Sequence, residues 1–185
     1  MSNNTFSAGV LPGGLCDSQE IKILICYIMN HFNIAFEKGE IADVLQNHGL
    51  ANYFETSQAF DEMVNAGNIF KNEQNSYEIS DKGRVIAKEL VKNIPLTVRE
   101  KAVKVIDAYF ARQKIEKENK VSIQRTDNGY NVTCSVLDGE FNMMTLTLYA
   151  PDMECAYLIK DNFYSNPSKL YHLVLAELTG EIKED

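Results

Sequence analysis

Three histidines and four cysteines carry the side chains that could most readily perform catalysis or hold a metal ion. They are His31, His48, His172, Cys16, Cys26, Cys134 and Cys155. The cysteines form no C-x-x-C pair, and the sequence contains no H-E-x-x-H, G-x-S-x-G or G-x-G-x-x-G motif. We therefore predict no catalytic residues, no metal and no cofactor, and we interpret the histidines as structural. An enzyme built on the C-terminal half would need a pocket of converging titratable groups, and the sequence indicates none.

A second set of side chains could contact duplex DNA. Lysine and arginine neutralise phosphate charge, whereas glutamine and asparagine can bond base edges. The candidate DNA-binding residues are Thr56, Ser57, Gln58, Lys71, Asn72, Asn75, Lys82 and Arg84.

Helical periodicity predicts the elements that would position this set. Asp17 begins a capping box, and an apolar stripe from Ile21 to Phe32 follows it at helical spacing. A second helix is predicted over about residues 37–46. A third begins after Asn52 and continues to residue 65.

A short hairpin is predicted next, with strands around residues 69–70 and 77–79 and a polar turn between them. Ser80 can cap a fourth helix that ends at Pro95, and we expect Gly83 to allow close backbone packing near its start. The order of three helices, a hairpin and a helix over residues 17–94 is typical of a winged helix.

The stretch "NAGNIFKNEQNSYEISDKGR" resembles the wing region of bacterial winged helix-turn-helix transcription regulators. The whole chain is also similar to an uncharacterised bacterial winged-helix family, a domain of unknown function, as the stretches "DSQEIKILICYIMN" and "HGLANYF" indicate. These resemblances imply a regulator-like role and carry no assigned chemistry.

A long helix is predicted over residues 97–120, and after it the apolar residues recur at every second position, as in β-strands. Strands are predicted at 121–125, 130–137, 141–149 and 154–160, and a last helix at 167–178. Asp127-Asn-Gly129 and Asp138-Gly139 are strong hairpin turns, because glycine and asparagine accept the positive φ that such turns need. The prediction is a four-stranded antiparallel meander with a covering helix.

The predicted fold class is therefore α+β, in four segments. Residues 1–16 form a flexible tail, 17–95 a winged-helix domain, 96–120 a linking helix and 121–185 an α+β domain of unknown role. The linking helix has apolar positions on more than one side. We therefore expect it to support a homodimer, the common state of regulators that bind two-fold DNA sites.

The distribution of charged residues is compatible with two functions. The chain has a net charge of -8, and residues 17–94 hold seven basic and twelve acidic side chains. No lysine or arginine occurs from residue 51 to 68, whereas Glu55, Asp61 and Glu62 do. The first hypothesis is a non-enzymatic, DNA-binding transcription regulator whose C-terminal domain senses a ligand or partner. The alternative is a protein-protein interaction module whose acidic third helix does not bind DNA.

The expected location is the cytoplasm. The longest apolar stretch, residues 21–29, is short and contains Lys22, so no membrane-spanning segment is predicted. The first residues lack the basic start and apolar run of a secretion signal.

Overall fold

The computed structural model describes residues 9–180. Among these residues it contains seven α-helices and two antiparallel sheets, a mixed α+β architecture. The chain divides into two units, Met1–Tyr109 and Phe110–Asp185, which we call the N-terminal and C-terminal units. The helix α5 (Leu96–Glu118) contains the division between them.

The helix α1 (Ser18–Phe32) is the central element of the N-terminal unit. The carboxylate of Asp17 caps it by accepting from the amides of Gln19 and Glu20, as the capping-box pattern predicts. Seven of its residues are buried, and it packs against the third and fourth helices. Burial on nearly all sides explains why its apolar positions exceed a single stripe.

The remaining elements of this unit follow in the predicted order. They are α2 (Glu40–Asn47), α3 (Tyr53–Asn65), β1 (Ile69–Lys71), β2 (Tyr77–Ile79) and α4 (Asp81–Glu89). The strands β1 and β2 pair antiparallel, with Ile69 opposite Ile79 and both side chains buried. The hairpin thereby joins the core beneath α1.

The fourth helix is shorter than the sequence predicts. Ser80 caps α4 by accepting from the amide of Gly83, but the helix ends at Glu89, and a 3₁₀ turn, Val91–Asn93, leads to the buried Ile94. The tighter turn redirects the chain before Pro95.

Part of the predicted flexible tail is held in place. The backbone amides of Leu11 and Leu15 donate to the carbonyls of Gly49 and Leu50, at 2.9 and 2.7 Å, and Leu15 is buried. Residues 1–8 of that segment lie outside the described residues.

The C-terminal unit contains a three-stranded sheet in the order β3-β4-β5. Its strands are β3 (Asn119–Thr126), β4 (Gly129–Asp138) and β5 (Phe141–Ala150). They form two hairpins at the predicted turns, and the β4–β5 register shifts between Val136 and Leu137.

The predicted fourth strand is wrong. Residues 154–160 lie in the helix α6 (Met153–Ser165), and α7 (Pro167–Thr179) follows it. The Asp152 carboxylate accepts from the Cys155 amide at 2.7 Å and so begins a helix directly after the sheet. The four-stranded meander is therefore absent from the described residues, and β5 is an edge strand.

Two helices cover one face of the sheet. The buried cluster joins Val132, Cys134 and Val136 of β4 with Ala156 and Phe163 of α6. Ala156, Ile159 and Phe163 follow helical spacing, and the consecutive apolar residues 155–159 are compatible with either a helix or a strand. Packing of α6 on the sheet selects the helix.

No helix within residues 9–180 is both long enough and apolar enough to cross a membrane.

Gly83 lets the start of α4 pack closely against the hairpin, because it has no side chain. A Cβ at this position would overlap the carbonyl oxygen of Asn68 and lie 2.7 Å from Cγ1 of Ile79. Gly83→Ala should therefore lower the free energy of unfolding by about 1–3 kcal/mol, measured by urea denaturation. Lys88→Ala, at an exposed position of the same helix, is the control. Equal midpoints for the two variants would contradict the close packing.

Candidate functional site

A buried asparagine fixes the turn between α2 and α3. The Asn52 side-chain oxygen accepts from the amides of Phe54 and Glu55, at 2.9 and 3.4 Å. The Tyr53 amide donates to Oε1 of Gln46 at 2.7 Å. With the first turn of α3 held in this way, the Phe54 side chain is 71% exposed.

A cleft of about 360 Å³ lies between α2 and α3. It is lined by Lys38, Gly39, Ile41, Ala42, Tyr53, Thr56, Ser57 and Phe60. Its lining is mainly apolar, and the hydroxyl of Thr56 is committed to the carbonyl of Asn52 at 2.8 Å. Such a cleft can accept an apolar side chain or small molecule, but it offers no converging acid and base.

Two of the three acidic side chains of α3 are paired with lysines from elsewhere in the unit. Lys22 of α1 lies 2.5 Å from Glu62, and Lys38 lies 3.0 Å from Asp61. The hydrogen bond from Lys22 lowers the pKa of Glu62, and Gln58 adds a second bond. The hydrogen bond to Asp61 raises the pKa of Lys38. Much of the acidity of this helix is therefore neutralised locally.

The structure separates the three candidate DNA contacts on α3. Thr56 is buried and its hydroxyl donates to the carbonyl of Asn52, the N-cap of its own helix, so the structure does not present it at the surface as a DNA contact. Ser57 lines the cleft, and Gln58 is exposed but donates to Glu62 at 2.9 Å. Ala59 of the same helix is also buried.

Asn72, one of the candidate DNA contacts, stabilises the hairpin turn. Asn72 accepts from the Ser76 amide at 2.9 Å and donates to Glu78 at 2.7 Å. Asn75 is exposed and has a φ of 69°, the left-handed conformation that asparagine tolerates. The exposed Lys71 lies 5.9 Å from the centre of the Tyr77 ring.

Arg84 connects α4 to the end of α1. Its Nη2 donates to Oδ1 of Asn33 at 2.7 Å, and its Nη1 to Oδ1 of Asn30 at 3.4 Å. Asn33 is the left-handed residue that ends α1. Arg84 therefore has a structural role in the fold, while the nearby Lys82 is exposed.

The cysteines and histidines are not gathered into a reactive site. Within residues 9–180, no three His, Cys, Asp or Glu residues are placed to hold a metal ion. Burial raises the pKa of the Cys26 thiol to about 12 and raises the pKa of Cys134, so both thiolates are scarce at neutral pH. The side chains of His31, His48 and His172 are exposed.

Residues 21–178 match a family described as Domain of unknown function (DUF4364). The chain belongs to this family. No curated protein and no solved structure matches it. The DUF4364 match spans both units, so the cleft and the three-stranded sheet occur within one family domain.

Sequence reasoning missed the cleft and Phe54. The pattern of α3 shows an apolar residue at position 54, but its exposure follows from the Asn52 cap and from the course of α2. The signal that was available is the run Tyr53-Phe54, because adjacent helix positions lie about 100° apart and the two aromatic rings point in different directions.

Replacing Arg84 should weaken the fold rather than only a surface charge. Arg84→Ala removes both bonds to α1, and a loss of about 1 kcal/mol in unfolding free energy is expected. Arg84→Lys should lose nearly as much, because an ammonium group cannot reach two oxygens with the fixed fork of a guanidinium. Lys82→Ala, two residues away and exposed, is the control in chemical denaturation. Full stability of Arg84→Lys would mean that only the charge matters.

Proposed function

We propose that this protein is a non-enzymatic interaction module whose N-terminal unit is a winged helix that docks a partner protein. The order α1, α2, α3, β1, β2, α4 supports the winged-helix assignment. The docking surface is the cleft between α2 and α3 together with Phe54. The C-terminal unit would then carry a separate role in assembly or sensing.

The apolar cleft beside an exposed aromatic ring carries this proposal. Protein interfaces concentrate their binding energy in buried aromatic anchors and in pockets that receive an apolar side chain. Phe54 can enter a partner, and the cleft lined by Ile41 and Phe60 can receive one. The Lys38–Asp61 ion pair at the edge of the cleft supplies a polar rim.

The distribution of basic groups favours a protein partner over DNA. Lys22 and Lys38 are paired with α3 acids, Arg84 with asparagines of α1, and Lys101 with the carbonyl of His48. Non-specific DNA binding comes essentially from lysine and arginine side chains that neutralise phosphates. The lysines of this unit are distributed over several elements and do not form one basic face along α3.

Photo-crosslinking tests the docking surface. A photoreactive phenylalanine analogue at Phe54 should trap a discrete protein partner in cells that produce the full chain. The same analogue at Phe70, 46% exposed on the hairpin, is the matched control and should not trap that partner. With the trapped partner purified, Phe54→Ala should weaken its affinity at least about ten-fold, since a central aromatic anchor is removed. Equal crosslinking at both positions, or an unchanged affinity, would refute the proposal.

DNA binding through the hairpin is a second candidate function. Lys71 and Asn75 on the hairpin and Lys82 at the start of α4 are exposed, so they could hold the phosphate backbone without α3 entering the groove. Fluorescence anisotropy with a mixed-sequence duplex at low salt is the measurement. Binding that weakens steeply with salt, and a slope smaller by about one for Lys82→Gln, would support this candidate. No binding at low salt would eliminate it.

A further inference from the structure

The strand β5 forms one edge of the three-stranded sheet. One side of it pairs with β4, and no strand of the part of the chain that the structure describes pairs with its other side. An edge strand presents unpaired N–H and C=O groups that can bind another strand. The register shift near Val136 ends the regular pairing at Met144, so the regular segment of β5 runs over residues 144–150.

The two edges of the sheet differ in charge. Residues 141–150 contain no charged residue, no proline and no glycine, in a chain of which 24% is charged. The opposite edge, β3, carries exposed Lys120 and Arg125. Natural sheets usually protect an edge with charges or proline, and β5 lacks both over its regular segment. The asymmetry identifies β5 as the edge that is suited to pairing.

The regular segment is complementary to itself. When two copies run antiparallel about an axis at Thr147, Met144 lies opposite Ala150 and Leu146 opposite Leu148 on the face that packs on the helices. On the other face, Thr147 meets its own copy, and Thr145 meets Tyr149. Each pair joins apolar with apolar or hydroxyl with hydroxyl, and no like charges face each other.

A second copy also covers apolar surface that one copy leaves open. Leu148 is 40% exposed although it lies on the same sheet face as the buried Val132, its cross-strand partner. In the two-fold pairing, Leu146 of the second copy would cover it.

The other face of the sheet carries a row of hydroxyl side chains. Thr133 and Thr147 place their Oγ1 atoms 3.0 Å apart, and Ser135 and Thr145 are 3.2 Å apart. A two-fold axis perpendicular to the sheet keeps this row on one face and continues it across the new pair. An isologous contact of this kind closes after two copies and does not extend into a fibre.

We propose that the C-terminal unit forms a two-fold homodimer in which β5 pairs antiparallel with β5 of a second copy, centred on Thr147, to give one six-stranded sheet.

Charge substitution at the centre of the strand tests this interface. The full-length chain should sediment as a dimer, and Thr147→Lys should raise the dimer dissociation constant at least about ten-fold, because two lysines then lie directly opposite each other. Ser122→Lys is the matched control: Ser122, Thr133 and Thr147 form one cross-strand row, and Ser122 is an exposed hydroxyl residue on the opposite edge. This control should remain dimeric. Mixing Thr147→Lys with Thr147→Glu should restore a dimer containing one copy of each.

Disulfide trapping tests the same interface by a second route if Thr147→Lys fails to fold. Thr147→Cys should form a covalent dimer on mild oxidation, at a level well above Ser122→Cys, in which the four native cysteines give the same background. A monomeric wild-type chain at high concentration would overturn the proposal. So would a Thr147→Lys dimer as tight as the wild type, equal dissociation of both lysine variants, or equal trapping of both cysteine variants.

Discussion

The N-terminal unit depends on the side chain of Asn52. This buried amide caps α3, and the Asn52 carbonyl also accepts the Thr56 hydroxyl, so one residue sets both the start and the rotation of the helix. The rotation decides that Thr56 faces inward, that Phe54 faces solvent and that the cleft toward α2 stays open. Phe54 and Thr56 are two positions apart, which is about 200° around a helix, so one of them faces solvent when the other faces the core.

Four basic side chains of the unit link its elements. Lys22 and Lys38 reach α3 from earlier elements, Arg84 ties α4 to the end of α1, and Lys101 donates to the carbonyl at the end of α2. Exposed ion pairs of this kind each contribute little to stability. They do neutralise these lysines, and the apolar cleft and the exposed Phe54 ring are then the most distinctive surface features of α3.

The architecture of the C-terminal unit depends on the helix that begins directly after β5. Asp152 begins a helix where a fourth strand was predicted, and the helix places Ala156 and Phe163 on the sheet. The core gains a cover on one face, and the sheet keeps an uncharged edge. The unpaired edge of β5 follows from this helix, since a fourth strand would have paired with β5 and left no open segment there.

The sequence by itself determined the elements whose signals are local. Asp17, Asn52 and Ser80 begin helices by bonding amides within three residues, and the hairpins of the C-terminal sheet follow from their glycine turns. Tertiary structure alone decided the partners of Glu62 and Arg84, which come from α1 and its C-cap, about 40 to 54 residues earlier in the chain. It also decided whether residues 154–160 became helix or strand, because a continuous apolar run satisfies both periods and only packing on β4 distinguishes them.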